Sequence, residues 1–389
     1  MMINELKEIF YKKYGKNKNE LFVYFAPGRV NIIGEHTDYN GGFVLPCALS
    51  FGTYLLIRKA NNSQIKFLSA NFDFTVNIPI NKLKKKINGE WVNYPLGVIN
   101  QFIKKGKDIQ GIEMLFSGDI PDGAGLSSSA SIELVTAFAI NELFEYDFDV
   151  IELIKLSQKA ENEFVGVSCG IMDQFAVGKG KKNHALFLNC ETLKYVQIPF
   201  NLNEYKLIIA NTNKKRGLTD SKYNERVAEC KKALKFINKK LSIKNLGELS
   251  LETFEEIQDV IPDEIIRRRA EHVVSEDYRV LEAVKAMENK NIKTLGKLMN
   301  ASHDSLKNNY EVTGFELDTL VYEARKITGV IGSRMTGAGF GGCTVNIIKK
   351  NYVDEFCKKV GERYRKITGM NADFYLPEIG DGVRRLISD

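Results

Sequence analysis

Gly28-Arg-Val-Asn-Ile-Ile-Gly-Glu-His-Thr-Asp-Tyr-Asn-Gly-Gly42 is the stretch that decides how this chain is read. It brings Arg29, Glu35, His36 and Asp38 together within ten positions, punctuated by glycines. Charged groups stay out of protein interiors unless they are paired. Yet Phe25 to Pro27 precede this cluster and Phe43-Val44-Leu45-Pro46 follow it, so it lies between two apolar runs. A solvated loop would be polar too, but it would rarely need apolar flanks on both sides. The plain alternative is a turn with a satisfied internal ion pair. The density of charge favours a pocket floor that hydrogen-bonds a polyhydroxylated ligand.

Working outward, Phe22 to Ala26 and Thr53 to Arg58 read as strands, and Ile3, Leu6, Ile9 and Phe10 have the spacing of a short amphipathic helix. Ile112 to Phe116 is a further strand. It feeds the loop Ser117 to Gly125, and a helix follows to about Phe144, capped by Ser127 or Ser128. A strand, a glycine turn and a helix start are the setting a phosphate loop needs. A second helix runs from about Val150 to Phe164, with Ile154, Ser157, Glu161 and Phe164 on one stripe. His184 to Asn189, Leu207 to Asn211, Cys343 to Ile348 and Phe374 to Leu376 read as strands. Thr219 to about Met299 is mostly helical, as are Phe315 to Ile327 and Val353 to Ile367. A boundary around Pro199 to Glu204 divides the chain into 1–200 and 201–389.

Composition sets limits. The chain has 389 residues, 44% hydrophobic and 27% charged, with a net charge of +6, as in ordinary globular proteins. The lysines are scattered, and Lys84-Lys85-Lys86 and Arg267-Arg268-Arg269 are short enough to be solvated faces, so no nucleic-acid partner is expected. Six cysteines without metal-ligand spacing read as buried thiols in a reducing compartment. Met1 to Gly15 has no long apolar core, and no run approaches the ~18 residues of a membrane helix. The expectation is a cytoplasmic protein without a membrane partner.

Three further segments join the first. They are Gly123-Ala-Gly-Leu-Ser-Ser-Ser-Ala-Ser131, Cys169-Gly-Ile-Met-Asp-Gln174 and Gly332-Ser-Arg-Met-Thr-Gly-Ala-Gly-Phe-Gly-Gly-Cys343. In this order the four resemble the motifs of galactokinases, within the GHMP family of small-molecule kinases. The resemblance implies an α+β fold of two domains with mixed sheets and helices, and an active site in the cleft between them. It implies ATP- and Mg²⁺-dependent phosphorylation of the anomeric hydroxyl of α-D-galactose, the first step of galactose breakdown, by a monomer or weak homo-oligomer.

It also implies roles. Asp173 is the catalytic carboxylate and Arg29 its neighbour. Asp173 sits in a short apolar segment, where a carboxylate must be paired, hydrogen-bonded or neutral. It could accept the hydroxyl proton, or only orient the hydroxyl in a dissociative transfer; both stay open. Glu35, His36, Thr37, Asp38, Gly170 and Tyr223 are the sugar-side positions, although a tyrosine near a helix start often only packs. Gly123, Ala124, Gly125, Leu126, Ser127, Ser128 and Ser129 cradle ATP phosphates, and Ser69 hydrogen-bonds the nucleotide. Ser129 and Glu161 hold Mg²⁺, a cation that takes oxygen ligands. Glu161 could instead face water beside Lys155 or Lys159, a reading that fits Glu163 better. The last glycine motif is given positioning, and His184, His272 and His303 read as structural or surface. Two alternatives remain: another kinase of the family, for N-acetylgalactosamine, arabinose or mevalonate, and a non-catalytic galactose and ATP sensor. The intact serine run and Asp173 favour catalysis.

Overall fold

The computed structural model describes residues 3–83, 87, 91–121, 124–214 and 219–386. Its strands are β1 (Phe22–Asn31), β2 (Phe43–Val44), β3 (Pro46–Lys59), β4 (Gln64–Ser69), β5 (Thr75–Pro79), β6 (Ile112–Gly118), β7 (His184–Asn189), β8 (Tyr195–Pro199), β9 (Tyr205–Asn211), β10 (Val330–Thr336), β11 (Cys343–Lys349), β12 (Asp373–Tyr375) and β13 (Arg384–Leu386). Its helices are α1 (Ile3–Tyr14), α2 (Asn93–Lys104), α3 (Ser128–Leu143), α4 (Val150–Ala160), α5 (Met172–Lys179), α6 (Thr219–Ile237), α7 (Leu251–Ile257), α8 (Glu264–Glu288), α9 (Ile292–Ser305), α10 (Phe315–Arg325) and α11 (Val353–Thr368).

A six-stranded sheet runs β13-β1-β3-β6-β4-β5, and only β4 and β6 pair in parallel. Period-two alternation divides its side chains between two cores. Val23, Leu56 and Leu115 point to α1, where they meet Leu6 and Phe10. Their neighbours Tyr24, Leu55, Ile57, Met114 and Phe116 point the other way, onto Leu96, Phe102, Leu134 and Ile140 of α2 and α3. A second sheet, β10-β11-β9-β12, packs Ile208, Ala210 and Ile348 against Leu320, Phe356 and Val360 of α10 and α11. Its opposite face joins Val30, Ile32, Ile33 and Leu45 in one core with Leu207, Ile209 and Val345. That shared core lies under the signature stretch and ties it to both sheets.

Several boundaries move from the sequence reading. β1 continues past Ala26 to Asn31, and its register with β3 shifts between Pro27 and Arg29. Such a bulge re-aims the side chain that follows it. The helix expected to reach Phe164 ends at Ala160, and Glu161–Val165 forms a single π turn, a distortion often found at functional sites. Of the strands after residue 200, β13 pairs with β1 in the first sheet. Lys84 to Lys86 lie outside the described residues.

Candidate active site

Arg29 leaves the β1 bulge and meets Asp173 at the start of α5. Its Nε donates to Oδ1 at 2.7 Å and its Nη2 to Oδ2 at 2.8 Å, a two-pronged pair. Its Nη1 donates to the carbonyl of Gly125 at 2.8 Å, and its backbone N–H donates to Leu126. One guanidinium therefore fixes both the carboxylate and the serine loop. Ser127 Oγ adds a third donor to Asp173, at 2.6 Å from Oδ2.

That bond overturns one expectation. Ser127 does not cap α3: it has a left-handed backbone, φ +61°, and its hydroxyl is turned to Asp173. With no side-chain cap, the free N–H groups of the first turn and the positive end of a 16-residue helix remain for an anion. Ala124 and Leu126 bury their side chains in the shared core, so only their backbone is offered to a ligand. Gly123 lies outside the described residues.

A cavity of about 370 Å³ is lined by Arg29, Asp173 and Ser127 to Ser129. Glu35, His36, Asp38, Gly170 and Tyr223 line the same cavity. Glu35 is buried, and its Oε1 accepts from Gly337 N–H at 2.8 Å, Thr336 Oγ1 at 2.9 Å and Arg334 Nη1 at 3.4 Å. The last glycine motif thus holds the Glu35 carboxylate. His36 bonds Tyr39 through Nδ1 at 2.8 Å, and its ring lies against Tyr223 and Tyr310. Burial lowers its pKa to about 3, so it is neutral and acts as a hydrogen-bonding group, not a cation. Its Nε2 is buried without a hydrogen-bond partner.

Thr37 is the second correction. It is fully buried, and its hydroxyl spends itself inside the turn, 3.0 Å from Gly34 O and 2.7 Å from Phe43 O. It braces the loop that carries the recognition groups.

Asp38 packs over Gly170 so closely that a Cβ there would lie 1.8 Å from Asp38 Oδ2. Gly170→Ala must therefore push the carboxylate aside. With galactose, the ligand the motifs imply, each lost bond to a charged acceptor costs about 1.5–3 kcal/mol, so its binding should weaken by about two decades in calorimetry. An unchanged Kd would mean that Asp38 does not meet the sugar.

Burial, then the charge of Asp173, then that of Glu35 raise Asp38 to about 7. A raised carboxyl pKa means that the ionised acceptor is complete only above it. Galactose binding without nucleotide should weaken about tenfold as pH falls from ~8 to ~6, and Asp38→Asn should flatten that profile. A flat profile in the parent protein would contradict this.

Glu161 opens the π turn, and its Oε2 accepts from Gln174 Nε2 at 2.7 Å and Cys169 Sγ at 3.4 Å. Ser129 also hydrogen-bonds it. Burial, then the nearby Asp173, raise its carboxyl to about 7. A half-buried serine beside a buried carboxylate, at an open helix start, suits a hard cation that keeps waters and phosphate oxygens. The residues fit Mg²⁺.

Sequence reasoning missed several groups. Gln174 also donates to Glu133 Oε2 at 3.1 Å, so two buried carboxyls share one amide. A signal existed: Glu133 sits four residues after Ser129 amid apolar neighbours. Trp91, Tyr94 and Phe116 line a second cavity of about 540 Å³ with Ser69, and Ser128 and Ser129 border both cavities. Ser69 Oγ accepts from the N–H groups of Asn71 and Phe72, which leaves its own proton to donate.

The chain resembles known proteins over its whole length. The galactokinase galactose-binding signature matches residues 8–59. The GHMP kinases N terminal domain matches 93–181, and the GHMP kinases C terminal matches 283–366. The galactokinase of Clostridium acetobutylicum is 51% identical, over 99% of this chain and 98% of its own. That of Bacillus subtilis is 49% identical, over 99% of both. The crystal structure of Lactococcus lactis galactokinase complexed with galactose superposes with a TM-score of 0.97 at 45% identity, covering 99% of this chain and 100% of that one. Methanococcus jannaschii mevalonate kinase shares the fold alone, with a TM-score of 0.68 at 20% identity over 94% of this chain and 100% of its own.

Proposed function

Because the chain belongs to the galactokinase family of GHMP kinases, we propose that this cleft moves the γ-phosphoryl group of ATP to the anomeric hydroxyl of α-D-galactose. The products are α-D-galactose 1-phosphate and ADP. One observation carries the reading. Asp173, clamped by Arg29 and Ser127, lines a single cavity together with the serine loop and Asp38.

The chemistry follows from the donors. A carboxylate offers about four lone-pair sites, and three are already met by Arg29 Nε, Arg29 Nη2 and Ser127 Oγ. The remaining site suits the sugar's anomeric O–H. As that oxygen bonds to the γ-phosphorus and the bond to the β-phosphate oxygen breaks, the hydroxyl proton passes to Asp173 and ADP leaves. Arg29 stabilises the charge on the moving phosphoryl group. Glu35, Asp38, neutral His36 and Tyr223 orient the ring by its hydroxyls, with the backbone of Gly170. The aromatic cavity by Ser69, Trp91 and Tyr94 takes the nucleotide base, and the start of α3 takes its phosphates. Mg²⁺, held by Ser129 and Glu161, would neutralise phosphate charge.

Glu161→Ala should raise the Mg²⁺ midpoint for turnover by about tenfold or more and leave the melting temperature of the unliganded protein within a few degrees. Superimposable Mg²⁺ titrations of parent and variant would remove Glu161 from the site.

The reading extends to domains 1–200 and 201–389, to a cytoplasmic location, and to a monomer or weak homo-oligomer without nucleic-acid or membrane partners. Among the described residues no helix is long and apolar enough to cross a membrane. A coupled ADP-release assay over a panel of monosaccharides, with mevalonate included, tests the substrate. Galactose should be turned over fastest. Preference for arabinose, N-acetylgalactosamine or mevalonate would overturn the galactose reading, and absence of turnover with all of them would leave a sensor.

A further inference from the structure

The turn that presents Glu35 and His36 has a costly backbone, with φ +97° at Gly34 and +63° at His36. Left-handed geometry at a bulky residue persists only where its surroundings hold it. Much of the hold comes from far along the chain, from one face of α8.

Glu276 Oε1 accepts from the backbone N–H of Gly34 at 3.0 Å and of Glu35 at 3.3 Å. His272 Nε2 meets the carbonyl of Glu35 at 3.1 Å. Burial keeps His272 neutral, with a pKa of about 4, so the nitrogen facing that carbonyl carries the proton and Nδ1 accepts from Ser305. Asp277 Oδ1 accepts from Phe43 N–H at 2.8 Å, at the other end of the loop. Three side chains spaced four and one apart therefore grip both ends of the recognition loop. None of them lines the cavity.

Glu276 is held in turn. Ser302 Oγ donates to its Oε1 at 2.5 Å, and Arg279 Nε donates to its Oε2 at 2.8 Å. It is fully buried, where a carboxylate without such partners would be expelled or neutralised. Nothing in the phosphoryl-transfer chemistry needs a carboxylate here. Its partners are the backbone of the sugar loop and the groups that fix it in place.

We propose that Glu276 is a positioning residue for sugar selection, holding the Gly34–Glu35 backbone so that Glu35 and His36 face the galactose. The proposal rests on the galactose reading above. It concerns sugar affinity and leaves nucleotide binding and the chemical step to other residues.

The test begins with the parent protein, by calorimetry with galactose and with ATP; failure of the parent to bind galactose would sink the galactose reading itself. Glu276→Met keeps the volume and removes the acceptor. It should weaken galactose binding and raise its KM by about tenfold to a hundredfold, with ATP binding within about twofold and kcat within about threefold. Glu276→Gln keeps one acceptor oxygen and should restore galactose affinity to within about threefold of the parent. If Glu276→Met does not fold, Ser302→Ala decides: it keeps the Glu276 carboxylate and removes the hydroxyl that donates to Oε1 and accepts from Arg334 Nε. It should weaken galactose by about threefold and leave ATP unchanged. Unchanged galactose affinity in the folded variant overturns the proposal. So does a loss of ATP affinity as large as the loss of galactose affinity, which would mark Glu276 as a general structural group.

Discussion

Asp173→Asn should lower kcat by about 10²–10⁴, the range for loss of a general base, while galactose and ATP still bind within roughly tenfold. Both carboxylate oxygens of Asp173 accept hydrogen bonds, Oδ1 from Arg29 and Oδ2 from Arg29 and Ser127. The amide of Asn keeps the shape but can accept at only one end. Its NH₂ end would face a donor, so one prong of the Arg29 fork loses its partner. The proposed sugar contacts at Glu35, His36 and Asp38 are untouched, so affinity should survive. Turnover within a few-fold of the parent would leave Asp173 as the partner of Arg29 and nothing more.

The second large effect is expected at Arg29. Arg29→Ala strips Asp173 of two donors and frees the Gly125 carbonyl, so carboxylate and serine loop both lose their anchor. Breaking a buried pair by removing one partner costs about 3–5 kcal/mol. Here the Asp173 side chain keeps 28% of its exposure, so a loss below that range, about 2–3 kcal/mol, is the expectation. The melting temperature should fall by several degrees, and kcat should fall by about two decades or more. The double variant should lose less than the product of the single losses, because base and guanidinium act as one unit. Multiplicative losses would mean that the two groups work independently.

Much of this site could be read in the chain because its parts are short, local motifs. Arg29, Glu35, His36 and Asp38 come from one short stretch, the end of β1 and the turn after it, and the serine loop follows the strand that was expected to feed it. Asp173 and Glu161 stood out for the same reason: a carboxylate in an apolar setting demands a partner. Contacts across long separations were harder. Nothing local distinguishes Glu276 in Ser275-Glu-Asp-Tyr-Arg279 from the solvated face of a helix, and its partners lie some 240 residues away. A cap by Ser127 or Ser128 was expected at the helix start on local grounds, and the Ser127 hydroxyl does not supply it. Asp173, 46 residues on in the chain, accepts its hydrogen bond and turns the hydroxyl away from the helix N–H groups. Thr37 looked like another ligand group because its neighbours are. Whether a hydroxyl turns to the cavity or back into its own turn depends on backbone angles that residue type does not reveal. The return of β13 to pair with β1 had no signal in a three-residue strand.

The central claim is that this cleft directs phosphate to the anomeric oxygen of galactose, and the product itself tests it most directly. The protein is incubated with ATP, Mg²⁺ and galactose, and the sugar product is examined by phosphorus and proton NMR. The account predicts one sugar phosphate, its phosphorus coupled to the anomeric proton of the α-pyranose, formed in step with ADP. Phosphate on another carbon, or ADP released without any sugar phosphate, would contradict it.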